Sequence, residues 1–156
     1  MTVPKPTLAL LRTGLLLMLL MGVIGTQVEL LLLKHTDGIW QLTPLLLNGA
    51  TLAVLAWYGL ARNAISLRAL QLVMLLCLVS GGVGVIQHFR ANIGFAQESD
   101  PSLGGSALYK EAVMGSTPTL APGTMVQLGL IGLAFAFRHP RLRSGSGEAD
   151  HTNTEA

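Results

Sequence analysis

The sequence predicts an all-α integral membrane protein: a four-transmembrane-helix bundle, N-in/C-in, with a long external loop between helices 3 and 4. Three observations carry that expectation. Only 12% of the 156 residues are charged while 51% are hydrophobic, and the mean hydropathy is +0.56; a soluble domain carries about a quarter charged residues. The few charges are segregated, leaving long stretches almost free of them. Each stretch is near the roughly 20 residues needed to cross a hydrocarbon layer of about 30 Å, and in lipid it must be helical to satisfy its backbone groups.

The first span covers residues 15–33 and holds one formal charge, Glu29. Its hydrophobic character continues to Leu33 and it has no A-x-A-like cleavage site, so it reads as a retained helix and not as a signal peptide. Lys34-His35-Thr36-Asp37-Gly38 ends it with an Asp-Gly turn signal. The second span, residues 42–60, contains no charge and is flanked by Trp40, Trp57 and Tyr58, aromatics suited to the membrane interface. The third covers residues 67–87 and the fourth, the shortest, residues 120–137. Pro44 and Pro122 are expected in first helical turns, where a missing N–H costs nothing. The connection 89–119 is long for a structureless loop, which points to a function or a short interfacial helix. It is expected to fold back over the outer mouth of the bundle. Residues 1–140 thus form the transmembrane domain, and 141–156 a disordered polar cytoplasmic tail.

An even number of spans places both termini on one side. That side holds Lys5, Arg12, Arg62, Arg68, Arg138, Arg141 and Arg143, and the other only Lys34, Arg90 and Lys110, an asymmetry that predicts cytoplasmic termini. The net charge of +2 therefore reflects orientation and not nucleic-acid binding. The chain resembles the small multi-pass proteins of bacteria, which sets the expected location at the bacterial cytoplasmic (inner) membrane.

The informative residues are polar ones in the outer half of the spans. Glu29, Gln27, Asn48, Gln87, His88 and Gln127 come from four separate stretches, while the inner half is nearly pure Leu, Met, Val and Ala. A carboxylate in a span costs about 2.5–3.5 kcal/mol at the helix centre and less near the interface, so it is usually turned inward and paired. Glu29 is accordingly expected to bind a proton, metal or cofactor, or to tie helices together through Gln87, His88 or Gln127, or to reach up to Lys34. The stripes Gly22-Thr26-Glu29 and Cys77-Gly81-Gly84-His88 would let helices one and three approach closely, bringing Glu29 near His88. His35 and His88, at external helix ends, are candidate ligands for haem or, with Glu29, a divalent metal. Asn48 and Gln127 carry amides that join helices or face a guest.

Several classes fall away. There is no P-loop, Rossmann fingerprint, zincin motif or nucleophile elbow. The single cysteine, Cys77, allows neither an intrachain disulfide nor dithiol chemistry. Only the types of Glu29 and His88 point to an enzyme. Two readings remain: an accessory or structural subunit of a larger membrane complex or homo-oligomer, and a bundle that binds a quinone, haem, metal or lipid through Glu29, His88, Gln127, Asn48 and His35.

Overall fold

The computed structural model describes residues 5–144. They form six helices, α1 (Lys5–Leu32), α2 (Ile39–Ala61), α3 (Ala64–Ser99), α4 (Gly105–Met114), α5 (Gly123–Ala136) and α6 (Pro140–Ser144). The chain is an all-α, multi-pass membrane-spanning bundle. Three helices, α1 from Pro6, α2 and α3, are long and apolar enough to cross a membrane. Leu10, Met21, Leu60, Leu72 and Val79 stand exposed on their outer surfaces, where a soluble protein would carry charge.

The helices start and stop for local reasons. Lys34 and Gly38, both at positive φ, turn the chain between α1 and α2. At φ +84°, Gly38 occupies a conformation that a side chain would strain. Arg62 closes α2 in the left-handed region, and its N–H is donated to the carbonyl of Tyr58. Asn63 then caps α3, its Oδ1 accepting from the N–H of Ser66 at 2.8 Å.

Around the bundle, α1 packs on α2, α2 on α3, α3 on α5, and α5 back on α1. The centre of this ring is filled by Leu19 and Val23 of α1, Leu55 of α2, Leu67, Leu70, Met74 and Cys77 of α3, and Met125, Leu128 and Phe135 of α5. Leu19, Val23 and Gln27 share one face of α1 through their four-residue spacing.

Several details depart from the sequence expectations. The third helix does not end at residue 87 but runs to Ser99. At about 1.5 Å per residue it is about 54 Å long, so its last turns project beyond a hydrocarbon layer, and α4 packs along α3 rather than over the mouth of the bundle. The glycine faces of helices one and three do not meet, because α5 lies between them. A Cβ on Gly22 would strike Leu128, and one on Gly81 would come within 2.8 Å of the Pro122 carbonyl and the Val126 nitrogen. Pro44 lies inside α2, since that helix already begins at Ile39. Residues 141–144 of the expected tail belong to α6; the remainder, 145–156, lies outside the described residues. The fourth apolar segment is a 14-residue helix, about 21 Å long.

Candidate functional site

The polar residues named from the sequence occupy three different settings. His88, half-buried on α3, approaches the carbonyl of Pro118 with Nδ1 at 2.9 Å. A carbonyl only accepts, so Nδ1 carries the proton and Nε2 is left as the acceptor in the neutral ring. The bond ties the segment leading down into α5 to α3. His35, in the turn after α1, is within electrostatic reach of His88. Burial holds its pKa below the ordinary histidine range, the charge of His88 lowers it further, and Asp37 pulls it partly back. Among the described residues no group of three or more His, Cys, Asp or Glu is placed to hold a metal ion.

Glu29 and Gln127 are exposed, and neither is hydrogen-bonded to the other or to His88. Glu29 shares the outer surface of α1 with Met21, Val28 and Leu32. Gln127 lies on the outer strip of α5 with Leu130 and Ala134, while Met125, Leu128, Gly129, Gly132 and Phe135 of the same helix point into the core. The close approaches of Gly81 to Val126 and of Gly129 to the Met74 carbonyl and Leu78 put Gln127 level with the middle of the apolar part of α3.

Asn48 is inside the bundle, 0% exposed on the α2 face formed by Leu45, Asn48, Thr51 and Leu55. Thr51, one turn further on, is bonded to the Leu47 carbonyl at 2.8 Å and lies 3.9 Å from the Cys77 sulfur. Both polar atoms of Asn48, Oδ1 and Nδ2, are buried without a hydrogen-bond partner, as is Oε1 of Gln27 on the inner face of α1. Counted from the α1–α2 turn, the two amides are within about one helical turn of the same depth.

Two polar clusters were not anticipated. On the projecting part of α3, Asn92 is 2% exposed. Its Nδ2 lies 3.1 Å from the Ala112 carbonyl, 2.8 Å from the Thr117 carbonyl and 3.1 Å from Thr119 Oγ1, and its Oδ1 accepts from the Thr117 N–H at 3.1 Å. Thr119 in turn donates to Ala112 at 2.9 Å. This network fastens α4 and residues 115–119 to α3, beside a cleft of about 250 Å³ lined in part by Phe95, Asp100 and Glu111.

At the opposite end, His139 is buried between Tyr58 and Phe135, with ring centroids 6.0 and 5.6 Å away. Its Nε2 is 3.3 Å from the Tyr58 hydroxyl and its Nδ1 accepts from the Arg141 N–H at 3.4 Å. Burial lowers its pKa, with Arg12 and Arg141 acting in the same direction. The guanidinium of Arg141 donates to the Arg62 carbonyl. The sequence reads His139 as a solvated residue without a partner, and the structure corrects this, since nothing in the sequence pairs it with Tyr58, 81 residues away.

No protein-family model matches the chain, and comparison with curated proteins and with solved structures gives no match.

Proposed function

We propose that the chain is an accessory subunit of a membrane complex, seating a transmembrane helix of another protein against the outer strip of α5. In this reading α5 is a fourth, short crossing, the termini are cytoplasmic, and the compartment is a bacterial inner membrane. The basic residues at the end shared by Arg12, Arg62, Arg138 and Arg141 support that orientation.

The observation that carries the proposal is Gln127. Its side chain is exposed without a hydrogen bond, about 14 Å along α5 from Ala136. At that depth an amide facing lipid has no water to satisfy it, whereas a donor or acceptor on a neighbouring helix would do so; such bonds contribute about 0.6–2 kcal/mol in membranes. Gly123 and Ala134, on the same strip, have little side chain to hold a partner helix away.

Photo-crosslinking tests this. A photoreactive residue at position 130, in native membranes, is expected to capture one membrane protein, and the same probe at the outward Leu72 of α3 is not. Gln127→Leu should lower the yield of the adduct by about three- to thirtyfold. Equal capture from both positions, or an adduct indifferent to Gln127→Leu, defeats the reading. An adduct of twice the chain mass assigns the strip to a second copy and replaces the accessory role by self-association.

Asn48 favours a second reading, a bundle that holds a small polar guest in its interior. An amide with both polar atoms buried and unpartnered is suited to a molecule offering one donor and one acceptor. Native mass spectrometry after gentle extraction should then show a small adduct that Asn48→Leu removes. An identical spectrum for the two proteins rejects it.

A further inference from the structure

The arginines at the terminal end of the bundle sort into two kinds. Arg62 and Arg141 direct hydrogen bonds at main-chain carbonyls of Gly59 and Arg62, satisfying groups that a helix end leaves open. Arg12 and Arg138 are placed differently. Both line an open groove of about 690 Å³ between the start of α1 and the end of α5, together with Leu8 and Phe137. Arg12 uses one N–H on the Arg138 carbonyl at 3.1 Å. The guanidinium of Arg138 makes no hydrogen bond and lies 5.9 Å from the centre of the Phe137 ring. Every acidic residue among those described, Glu29, Asp37, Glu98, Asp100 and Glu111, is at the other end of the molecule.

The position in the bilayer completes the picture. From Arg12 to Leu32 the helix climbs about 30 Å, the thickness of a hydrocarbon core, so Arg12 stands at headgroup depth when Leu32 is at the far boundary. Arg138 also holds a left-handed conformation, φ +47°, where a glycine is the usual and less strained residue.

We propose that this groove binds an anionic phospholipid, its phosphate held between the guanidinium groups of Arg12 and Arg138 and its glycerol and upper acyl chains lying on Phe137, with Leu8 about one turn further out beside the headgroup. Arginine suits a phosphate because its planar N–H groups can address two oxygens together. Basic pockets between helices on the cytoplasmic side are a recognised setting for such headgroups. The exposed Phe137 ring and the depth favour a lipid over free phosphate.

The experiment is lipid retention by the full chain in mixed micelles of equal parts phosphatidylglycerol and phosphatidylcholine, read by native mass spectrometry. The wild type is expected to keep phosphatidylglycerol in preference by about fivefold for each arginine, the scale set by a single basic residue at an anionic surface. Arg138→Gly and Arg12→Gln should each lose about that factor. Arg138→Gly is the cleaner variant, since glycine relaxes the positive φ while removing the charge, so its fold is expected to be kept; an unchanged circular dichroism melt checks this. Arg68→Gln, which removes an exposed arginine at the same end, should change nothing. Retention independent of headgroup, retention unaffected by Arg138→Gly, an equal loss in Arg68→Gln, or displacement of the lipid by an equal concentration of inorganic phosphate would each overturn the assignment.

Discussion

Two asparagines, both buried in helices, behave in opposite ways. Asn92 is 2% exposed and all its polar atoms are engaged. Asn48 is 0% exposed and none is. The difference comes from what surrounds them. Asn92 faces a bend between α4 and α5, where Ala112 and Thr117 offer main-chain groups that no helix uses. Asn48 faces other helices, whose backbone groups are already paired along their own axes. The same residue type is therefore a fastener where the chain is irregular and an unpaired amide where it is regular. Burial of a polar group says little about its role until its partners are counted.

The strongest way to break this comparison is to remove the fastener. Asn92→Leu strands the N–H and carbonyl of Thr117, and each buried polar group left without a partner costs about 1–3 kcal/mol. A loss of about 3 kcal/mol is expected, with hydrogen exchange accelerated specifically over residues 105–119. Gly115→Ala sharpens the point, because its Cβ would sit 2.6 Å from the Glu111 carbonyl and 2.8 Å from Cγ of Asn92; an overpacking cost of about 1–2 kcal/mol follows. Unchanged exchange in that segment for both variants would show that Asn92 fastens nothing.

Asn48 is expected to answer with the opposite sign. Leucine has a similar volume and no polar group to strand, so Asn48→Leu should raise the stability of the purified protein by about 1 kcal/mol, the lower end of the cost of an unsatisfied group. A chemical or thermal unfolding midpoint decides it. A lower midpoint in Asn48→Leu would mean that the amide keeps a partner through purification, and the two asparagines would then be alike.

How far the sequence reaches can be argued from these same places. The membrane class and the spanning helices were legible because segregated charge and apolar length act over some 20 residues at a time. The setting of Glu29 departs from the sequence expectation: the cost of a carboxylate in lipid pointed to an inward, paired side chain, whereas the helix turns it outward. Residues four apart share a helix face, so Leu19, Val23 and Gln27 point together, and Glu29, two residues past Gln27, is turned about 200° from it. The glycine faces of α1 and α3 were visible as faces, but a glycine reports only that something comes close. That Leu128 and Val126 of α5 do so depends on the ring order of the helices, which a sequence pattern does not encode. Asn92 was missed because it lies past the apolar part of α3, in a polar stretch that reads as loop. The retained hint was the four-residue spacing of Asn92 and Ala96, both buried.

His139 stands between the two asparagines, and its smaller effect is read through pH. Both ring nitrogens have partners, the Tyr58 hydroxyl and the Arg141 N–H. Because a backbone N–H only donates, Nδ1 must be unprotonated, and Nε2 carries the hydrogen toward Tyr58. A second proton would turn Nδ1 into a donor facing another donor, in a buried site beside Arg12 and Arg141. The pKa is lowered for those reasons, burial first. The unfolded chain takes up its proton near pH 6.5, so the stabilisation is complete above that value and is lost as pH falls below it toward the folded pKa. His35, also lowered, contributes with the same sign from the other end of the molecule. Asp100 does not intrude, since its pKa is lowered by the bonds from Ser102 and its contribution disappears only in more acid solution. The unfolding midpoint is therefore expected to fall between pH 7.5 and 5, less steeply in His139→Gln, and less again when His35→Gln is added. A slope that His139→Gln leaves unchanged would place the buried ring with Asn92, as a group whose partners accept it in either charge state.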